Sequence, residues 1–523
     1  MGYGFNLKNV DLLQNIQSNE RYQFNLYRNR VLLTGNAAVV QKFYKQDALR
    51  LIDDQWERLQ IMQSYMHRSK ADEAMVFYGI VKMINDAFVR LVCSSGFTTS
   101  VKLKGKQEEN KELTKRLDDI LRFNNFRSDK WMIGESLQSG LGHFSYKTSI
   151  DSEISKDYPI IEVVEPEYIE TIKKRDFIIG YVFKQRMSVN DKEYELHETW
   201  YEDNGVQIEY TLFDVTNEIT ELEWEKSSKI LKEFGFEDGA KPIVSDFSKL
   251  SKIPVLLKTN TGYNSWFPTS SYGEADTQGL DKLEDTLTEI LSSLATEIRK
   301  ARVRVLVAED LIPHNPNGTN VGDYERALKD YEIIRGDLND AKNLIQYVQG
   351  NINADKYLEV SKQYIANAIN KAKLHPITVG ITGLESIVSS AESQVEREKT
   401  SLRTRELKLN GWREAFKKYF NSLLQVYDIM HNKEIGDYDI TIDFGEFVNP
   451  SPENVIASIS AAIAGKITDI KTALEEYYGD DKTPEEIEQM VLNIKVENNL
   501  ALTPEERTRV GLTPQVQQPL IEE

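Results

Sequence analysis

One cysteine in 523 residues sets the first limit on this chain. Cys93 alone excludes an intramolecular disulfide and any zinc cluster built on cysteines, and it fits a reducing compartment. Within AFVRLVCSSG it reads as a small, buried apolar residue. Long apolar runs are missing too: IPVLL and VRVLV are far too short to span a bilayer. The start, MGYGFNLKN, has no basic segment leading into an apolar one, so no signal peptide is expected. Gly2 invites comparison with a myristoylation start, but Asn6 stands where Ser or Thr is needed. The expectation is a soluble protein that matures without export.

An excess of positive charge is also absent. Lys and Arg number 64 against 83 Asp and Glu, a net charge of −19, with six scattered histidines. A protein that grips DNA by neutralising phosphates carries a basic patch and a high pI. Tight sequence-specific nucleic-acid binding is therefore not expected, while contact without grip stays open. Phosphate-binding loops, dinucleotide fingerprints, HExxH and GxSxG are all missing. The nearest approach, Ser139-Gly140-Leu141-Gly142-His143, lacks the leading glycine, and such a trio in a loop reads as a turn. Adjacent acids such as Asp53/Asp54, Asp118/Asp119 and Asp480/Asp481 arise by chance in so acidic a chain. A metal-dependent nuclease needs carboxylates converging from separate elements. No catalytic residue, metal or cofactor is assigned, and the chain is read as a non-enzyme.

What is present is a chain long enough for two to four domains' worth of core, with one exceptional helix. Nothing in 389–431 breaks a helix except Gly411, giving roughly 65 Å of rod at the usual rise. Its first half, SSAESQVEREKTSLRTREL, has little apolar surface beyond Val395 and Leu402. Its second half places Trp412, Phe416, Tyr419, Phe420, Leu423, Tyr427 and Met430 on one stripe. Such a helix is predicted to bridge solvent or line a wet cavity rather than to act as a simple core helix. It is entered through Val379-Gly380-Ile381-Thr382-Gly383-Leu384-Glu385-Ser386. An ordinary helix–helix connection would not need the apolar tips Ile381 and Leu384, so this segment reads as a functional loop.

Residues 1–150 read as mostly helical. Phe77, Val81, Met83, Ile84, Phe88 and Leu91 recur at helical spacing up to Gly96, and Leu113, Leu117, Ile120 and Leu121 form a second stripe with a solvated charged face. From 144 to 257 the pattern turns to strands, with Asn190-Asp191 and Asp203-Asn204-Gly205 turns and Pro166 at a turn or edge. An amphipathic helix over 274–301 carries Leu280, Leu283, Leu287, Leu291, Leu294 and Ile298 as a near coiled-coil seam. A small mixed α/β insert over 302–350 follows. A helix then runs from an Asn353 N-cap, with Asp355 in its first turn, to Lys373, and Pro376 ends it. Ile440, Ile442 and Phe444 alternate in a returning strand. The segment 449–500 reads as short helices, with Ser451-Pro452 opening one, Gly465 stopping it and Thr483-Pro484-Glu485-Glu486 as a capping box. The last twenty residues read as disordered.

Two basic groups remain. Arg299, Lys300, Arg302 and Arg304 end the first long helix, where cations at a helix C-terminus are stabilised by its dipole; the alternative is a basic ring facing phosphate or an acidic partner. Lys362, Lys371 and Lys373 on the second helix carry the same two readings.

This order of elements resembles the portal proteins of tailed bacteriophages. IPVLLKTNTGYNSWFPTSSYGEADTQGLDKLEDTLTEILSSL is similar to the family's passage from an Ile-Pro strand into the stem helix. ITVGITGLESIVSSAESQVEREK is similar to its tunnel loop and the start of its long helix, with Ser389-Ser390-Ala391-Glu392 at the family's Ser-rich pattern. The resemblance covers about 140–500, and the order of elements carries it.

It implies an α+β fold with a wing (1–273), stem helices (274–301 and 351–373), a clip (302–350) and a tunnel loop (374–388). A long kinked helix with a return strand (389–448), a helical crown (449–503) and a tail (504–523) complete it. It also implies a non-enzymatic ring of twelve subunits at the capsid vertex of the virion, assembled in the host cytoplasm, that conducts double-stranded DNA. The clip would dock the terminase large subunit and later head–tail adaptors, with capsid and scaffolding proteins as further partners and no membrane. The tunnel loop would touch DNA, Ile381, Thr382 and Leu384 nearest; Lys362, Lys371 and Lys373 are candidates to face the channel, and Arg299, Lys300, Arg302 and Arg304 candidates at the clip and stem. Two rivals are a scaffolding protein built on a dimeric coiled coil and a metal-dependent packaging nuclease.

Overall fold

The computed structural model describes residues 19–43, 76–106, 108–174, 177–189, 192–202, 205–215, 220–222, 224–233, 247–260, 264–265, 267, 272–301, 304–308, 331–334, 345–348, 353–381, 391–445, 469–472, 474 and 483–497. The chain divides into two units, 1–445 and 446–523, and mixes helix with sheet in an α+β fold.

In the first unit, α1 (Asn19–Leu33) and α2 (Ala37–Lys42) precede α3 (Ile80–Cys93). The helical spacing read from the sequence holds in α3, where Ile80, Val81, Ile84, Phe88 and Leu91 are buried. Strand β1 (Phe97–Leu103) leads to α4 (Lys111–Phe123), whose N-cap Asn110 accepts from Glu112 N and Leu113 N. Leu113, Leu117, Ile120 and Leu121 form its buried stripe, as their spacing requires. One π-helical turn (Phe126–Lys130) joins α4 to α5 (Trp131–Leu141). Gly142 ends α5 at φ +92°, and a Cβ there would lie 2.4 Å from the Gly273 carbonyl oxygen, so only glycine fits.

The β-rich part forms two antiparallel sheets. Strands β2 (His143–Ser149), β3 (Ile160–Val164) and β9 (Val255–Thr259) pair in the order β3-β2-β9. Strands β4 (Ile169–Lys174), β5 (Phe177–Val189), β6 (Lys192–Glu202), β7 (Val206–Asp214) and β8 (Thr220–Glu221) make a five-stranded meander. Pro166 opens a 3-10 turn between β3 and β4, where its missing N–H costs no ladder bond. Helix α6 (Trp224–Glu233) follows β8.

Helices α7 (Asp281–Lys300) and α8 (Ala354–Lys371) pack against each other, Tyr357 Oη donating to Glu297 Oε1 at 2.7 Å. Between them in sequence, β10 (Arg304–Ala308), β11 (Tyr331–Ile334) and β12 (Ile345–Val348) form a mixed sheet, β10 parallel to β11 and antiparallel to β12. Three expectations need correction here. The first helix starts at Asp281 rather than 274, because 275–280 form turns whose polar groups bond α5 and α1. Asn353 occupies the N-cap of α8 without a side-chain cap bond. Pro376 does not end α8. The helix closes at Ala372 with Lys373 at φ +58°, and Pro376 opens the short α9 (Pro376–Val379), where proline at the first position loses nothing.

Helix α10 (Ala391–Met430) is 40 residues long, about 60 Å, and β13 (Tyr438–Phe444) returns from it to pair antiparallel with β1 from Phe97↔Phe444 to Leu103↔Tyr438. Tyr438, Ile440, Ile442 and Phe444 point inward in strict alternation. The second half of α10 is amphipathic, as its stripe predicts. Trp412, Phe416, Tyr419, Phe420 and Leu423 are each at most 2% exposed and lie at the centre of the largest core cluster, with Trp131, Phe97 and Tyr146. The stripe is an ordinary core face covered by α5, β2 and the β1–β13 ribbon. The first half is where the polar sequence lies, and the side chains of 391–398 fall outside the described residues.

In the second unit, α11 (Pro484–Glu497) has the capping box read from the sequence. Thr483 N donates to Glu486 Oε2 at 2.9 Å, and Glu486 N donates to Thr483 Oγ1 at 3.4 Å. The expected helix from Ser451 to Gly465 and the tail lie outside the described residues.

Candidate functional site

The root of the α7–α8 hairpin meets α10 at a buried lysine. Lys408 is 1% exposed, and its Nζ lies 2.8 Å from Glu135 Oε1 on α5 and 2.7 Å from Asp276 Oδ2 just before α7. It also donates to Ser139 Oγ and Asn260 Oδ1, both at 3.2 Å. Trp412, one turn on along α10, gives its indole N–H to Glu135 Oε2 at 2.7 Å, and Ser139 Oγ donates to Glu135 Oε1 at 2.7 Å. Burial opposes the ammonium's charge, but Asp276 and Glu135 more than offset it, so the pKa rises above lysine's ordinary value. Lys258, 5.2 Å over the Trp412 ring, has no carboxylate in bonding contact. Burial, eased by Glu135 and Asp276 and reinforced by Lys408, brings its pKa down to about 8.

Helix α3 is capped at both ends from a distance. Its N-cap, Gly79, offers no side chain; Glu284 of α7 instead accepts from Gly79 N at 2.9 Å and Val81 N at 3.1 Å. At the other end, Arg405 of α10 donates to the Leu91 carbonyl at 2.9 Å and to Gly445 O at 2.8 Å. An acid at the N-terminus and a base at the C-terminus match the helix dipole. Burial raises the Glu284 pKa, and the backbone N–H groups offset part of that rise. The α7 root is bound to α1 as well, by Arg28–Asp281 at 3.0 Å and by Gln278 with Asn25 and Asn29. These bonds place α3, α5, α7 and α10 in one polar joint.

The passage into the predicted loop is pinned to α10. His375 N donates to Ser401 Oγ at 2.8 Å, Thr378 Oγ1 donates to the same oxygen at 2.9 Å, and Thr404 Oγ1 donates to the Lys373 carbonyl at 3.0 Å. Val379 is buried, Gly380 is exposed at φ +85° with open space around its Cα, and Ile381 N returns to the Pro376 carbonyl at 3.0 Å. Helix α10 begins ten residues before Ser401, so it extends about 15 Å beyond that pin. Thr382, Gly383, Leu384, Glu385 and Ser386 lie outside the described residues.

Lys362, Lys371 and Lys373 are all exposed but do not form one row. Lys362 and Lys371 sit nine residues apart, on opposite sides of α8, and Lys371 Nζ donates to the Gly279 carbonyl at 2.7 Å. Arg299 and Lys300 close α7 and Arg304 opens β10; Arg302, and the side chains of all four, lie outside the described residues. The Ser139–His143 segment is not a loop but the last turn of α5 running into β2. Ser139 turns to Glu135, whereas His143 stacks on Tyr272 at 3.9 Å and bonds Tyr22 Oη at 3.1 Å. Burial drives the His143 pKa down to about 3, so the ring is neutral, and with His143 bonded to Tyr22 and Ser139 to Glu135 the two make no pair. Among the described residues, no group of three or more His, Cys, Asp or Glu side chains converges as a metal site.

Sequence reasoning missed Lys408, Glu135, Asp276 and Glu284. Their partners lie 130 to 275 residues away, and nothing local marks them beyond a lysine set between Leu407 and Leu409. No protein-family model matches the chain, and no curated protein matches it in sequence.

Proposed function

We propose that this chain is a portal-type subunit: a non-enzymatic protein that closes into a ring, twelve-fold by the family resemblance, and conducts double-stranded DNA through its centre. The order of described elements is the observation that carries the reading. A β-rich body leads into α7, a small sheet interrupts the hairpin, α8 returns, a short pinned turn follows, and a 40-residue helix runs back into the body. That order corresponds to wing, stem, clip, stem, tunnel loop and long helix.

The polar joint at the hairpin root supports the same reading. A stem that transmits load to the wing needs a firm root, and the ion pairs of Lys408 with Glu135 and Asp276 and of Arg28 with Asp281 tie the hairpin root to α10, α5 and α1. The net charge of −19 suits a conduit through which DNA slides without sticking. In this reading the clip docks the terminase large subunit and then head–tail adaptors, the wing meets capsid and scaffolding proteins, and the protein resides at the virion's portal vertex.

Helices α7 and α8 fold back on each other within one chain, which leaves less of the Leu280–Ile298 seam for a dimeric coiled coil. Leu280 and Leu287 are buried in the subunit, while Ile298 is 47% exposed.

The test of function is removal of residues 380–385. The bonds of Lys373, His375 and Thr378 to α10 lie outside that span, so assembly should persist while DNA packaging is impaired. Loss of folding would instead make the loop structural and remove its role as the DNA contact.

A further inference from the structure

The outer side of α10 carries a net positive charge in a chain that is acidic overall. At 100° per residue, Lys399 and Lys417 fall in line, with Arg403 and Arg413 about 40° to either side and Lys418 at the margin. Arg403 and Lys418 are exposed, the Lys417 side chain is 39% exposed, and Arg413 lies partly buried over Phe444. Glu406 and Glu414 are the exposed acids on this side, and Leu407 stands 65% exposed among them. Arg403 and Lys418 make no ion pair among the described residues. The strip runs for about 28 Å.

Its electrostatic complement is in the same sequence. Residues 446–523 hold fifteen acidic and six basic side chains, net −9 over 78 residues, against net −10 over the preceding 445. In that unit α11 exposes Glu485 and Glu488 near its start, Glu488 already 3.3 Å from Lys471 Nζ, and Val496 is 37% exposed near its end. Two features favour a protein partner over nucleic acid. Glu406 and Glu414 within the strip would repel a phosphate backbone, and Leu407 offers apolar surface that a phosphate backbone does not use.

We propose that the α10 strip docks the acidic C-terminal unit of a second copy of this chain. The choice of a second copy rests on the ring reading above; the strip and its complement do not. Exposed ion pairs are individually weak and screened by salt, so the contact works as an array, with Leu407 supplying apolar area at its middle.

The experiment uses the full chain and follows particle mass by mass photometry over a dilution series, at about 50 mM and about 500 mM salt. Arg403→Glu with Lys418→Glu, both exposed, is expected to leave the melting temperature unchanged and to raise the half-assembly concentration at least about tenfold at low salt. Adding Glu485→Lys and Glu488→Lys to the same chain should recover most of that loss, since every subunit then carries both reversed faces. Assembly indifferent to the first pair would overturn the proposal, as would a loss that the second pair does not recover. Unchanged assembly with lost DNA retention would make the strip a nucleic-acid contact. Cross-linking of strip to unit within single subunits would make the contact internal, again contrary to the proposal. A wild-type chain that stays monomeric at every concentration would defeat the ring reading itself, whereas assembled wild type with indifferent variants defeats only this inference.

Discussion

A lysine ammonium with almost no exposed surface is tolerable only when its charge is met on the spot, and Lys408 has two carboxylates within 2.8 Å. Lys408→Met leaves Glu135 buried without its cation and should cost about 3–5 kcal/mol. The double variant Lys408→Met with Glu135→Gln should cost less than the two singles added, because it removes both charges. Urea unfolding of the four proteins in the cycle reads this directly, and strictly additive costs would deny the coupling.

Lys258 gives the opposite sign. Its folded pKa of about 8 lies below the unfolded lysine value, so the unfolded chain binds more protons between pH 8 and pH 10.5. Its charge is therefore a penalty below pH 8 that disappears as pH rises through that window. Lys258→Met should be the more stable protein at pH 7, and its advantage should shrink by pH 10. A difference that does not change with pH would show that the amine is not desolvated.

At the scale of elements, local periodicity made α3, α4 and β13 legible, because the spacing of their own apolar residues decides which face is buried. The Thr483–Glu486 box was legible for the same reason, its two partners lying three residues apart. The aromatic stripe of α10 was legible too, as the buried face of an amphipathic half-helix. A helix polar in one half need not be wet in the other when the halves run through different surroundings. The α7 seam was legible as a buried stripe through Leu280, Leu287 and Leu294, but the burial of Glu284 and Ser292 on the same side was not. Glu284 and Ser292 bond segments more than 200 residues earlier in the chain, and no window along the sequence contains both partners.

The remote capping of α3 leads to a prediction at this scale. Glu284→Ala leaves two N–H groups at the helix start unmet and should cost about 1–3 kcal/mol, the range for orphaned buried donors. Hydrogen exchange should speed up at 79–84 ahead of 88–93, where Arg405 still holds the other end. Uniform acceleration along α3 would mean the cap is not local.

For the whole molecule, the joint of α3, α5, α7 and α10 makes the hairpin root part of the body's core, while residues exposed toward the far ends of α7 and α8, Ile298, Leu358 and Val360, lie 41–47% open. A hairpin apolar farther along its length fits the proposed packing beside copies of itself, where one heterologous contact closes into a ring if its rotation divides the circle and otherwise makes a filament. The candidate loop could be located in the sequence by its glycines, yet its seat on Ser401 and Thr404 is a tertiary property that appears only when α9 is laid on α10.

The most direct test of the ring is electron microscopy of the purified full-length protein combined with its native mass. The account predicts closed rings with an open central channel, and a mass of about 720 kDa for twelve subunits of 60.1 kDa. A discrete dimer with no channel, persisting at high protein concentration, would contradict it.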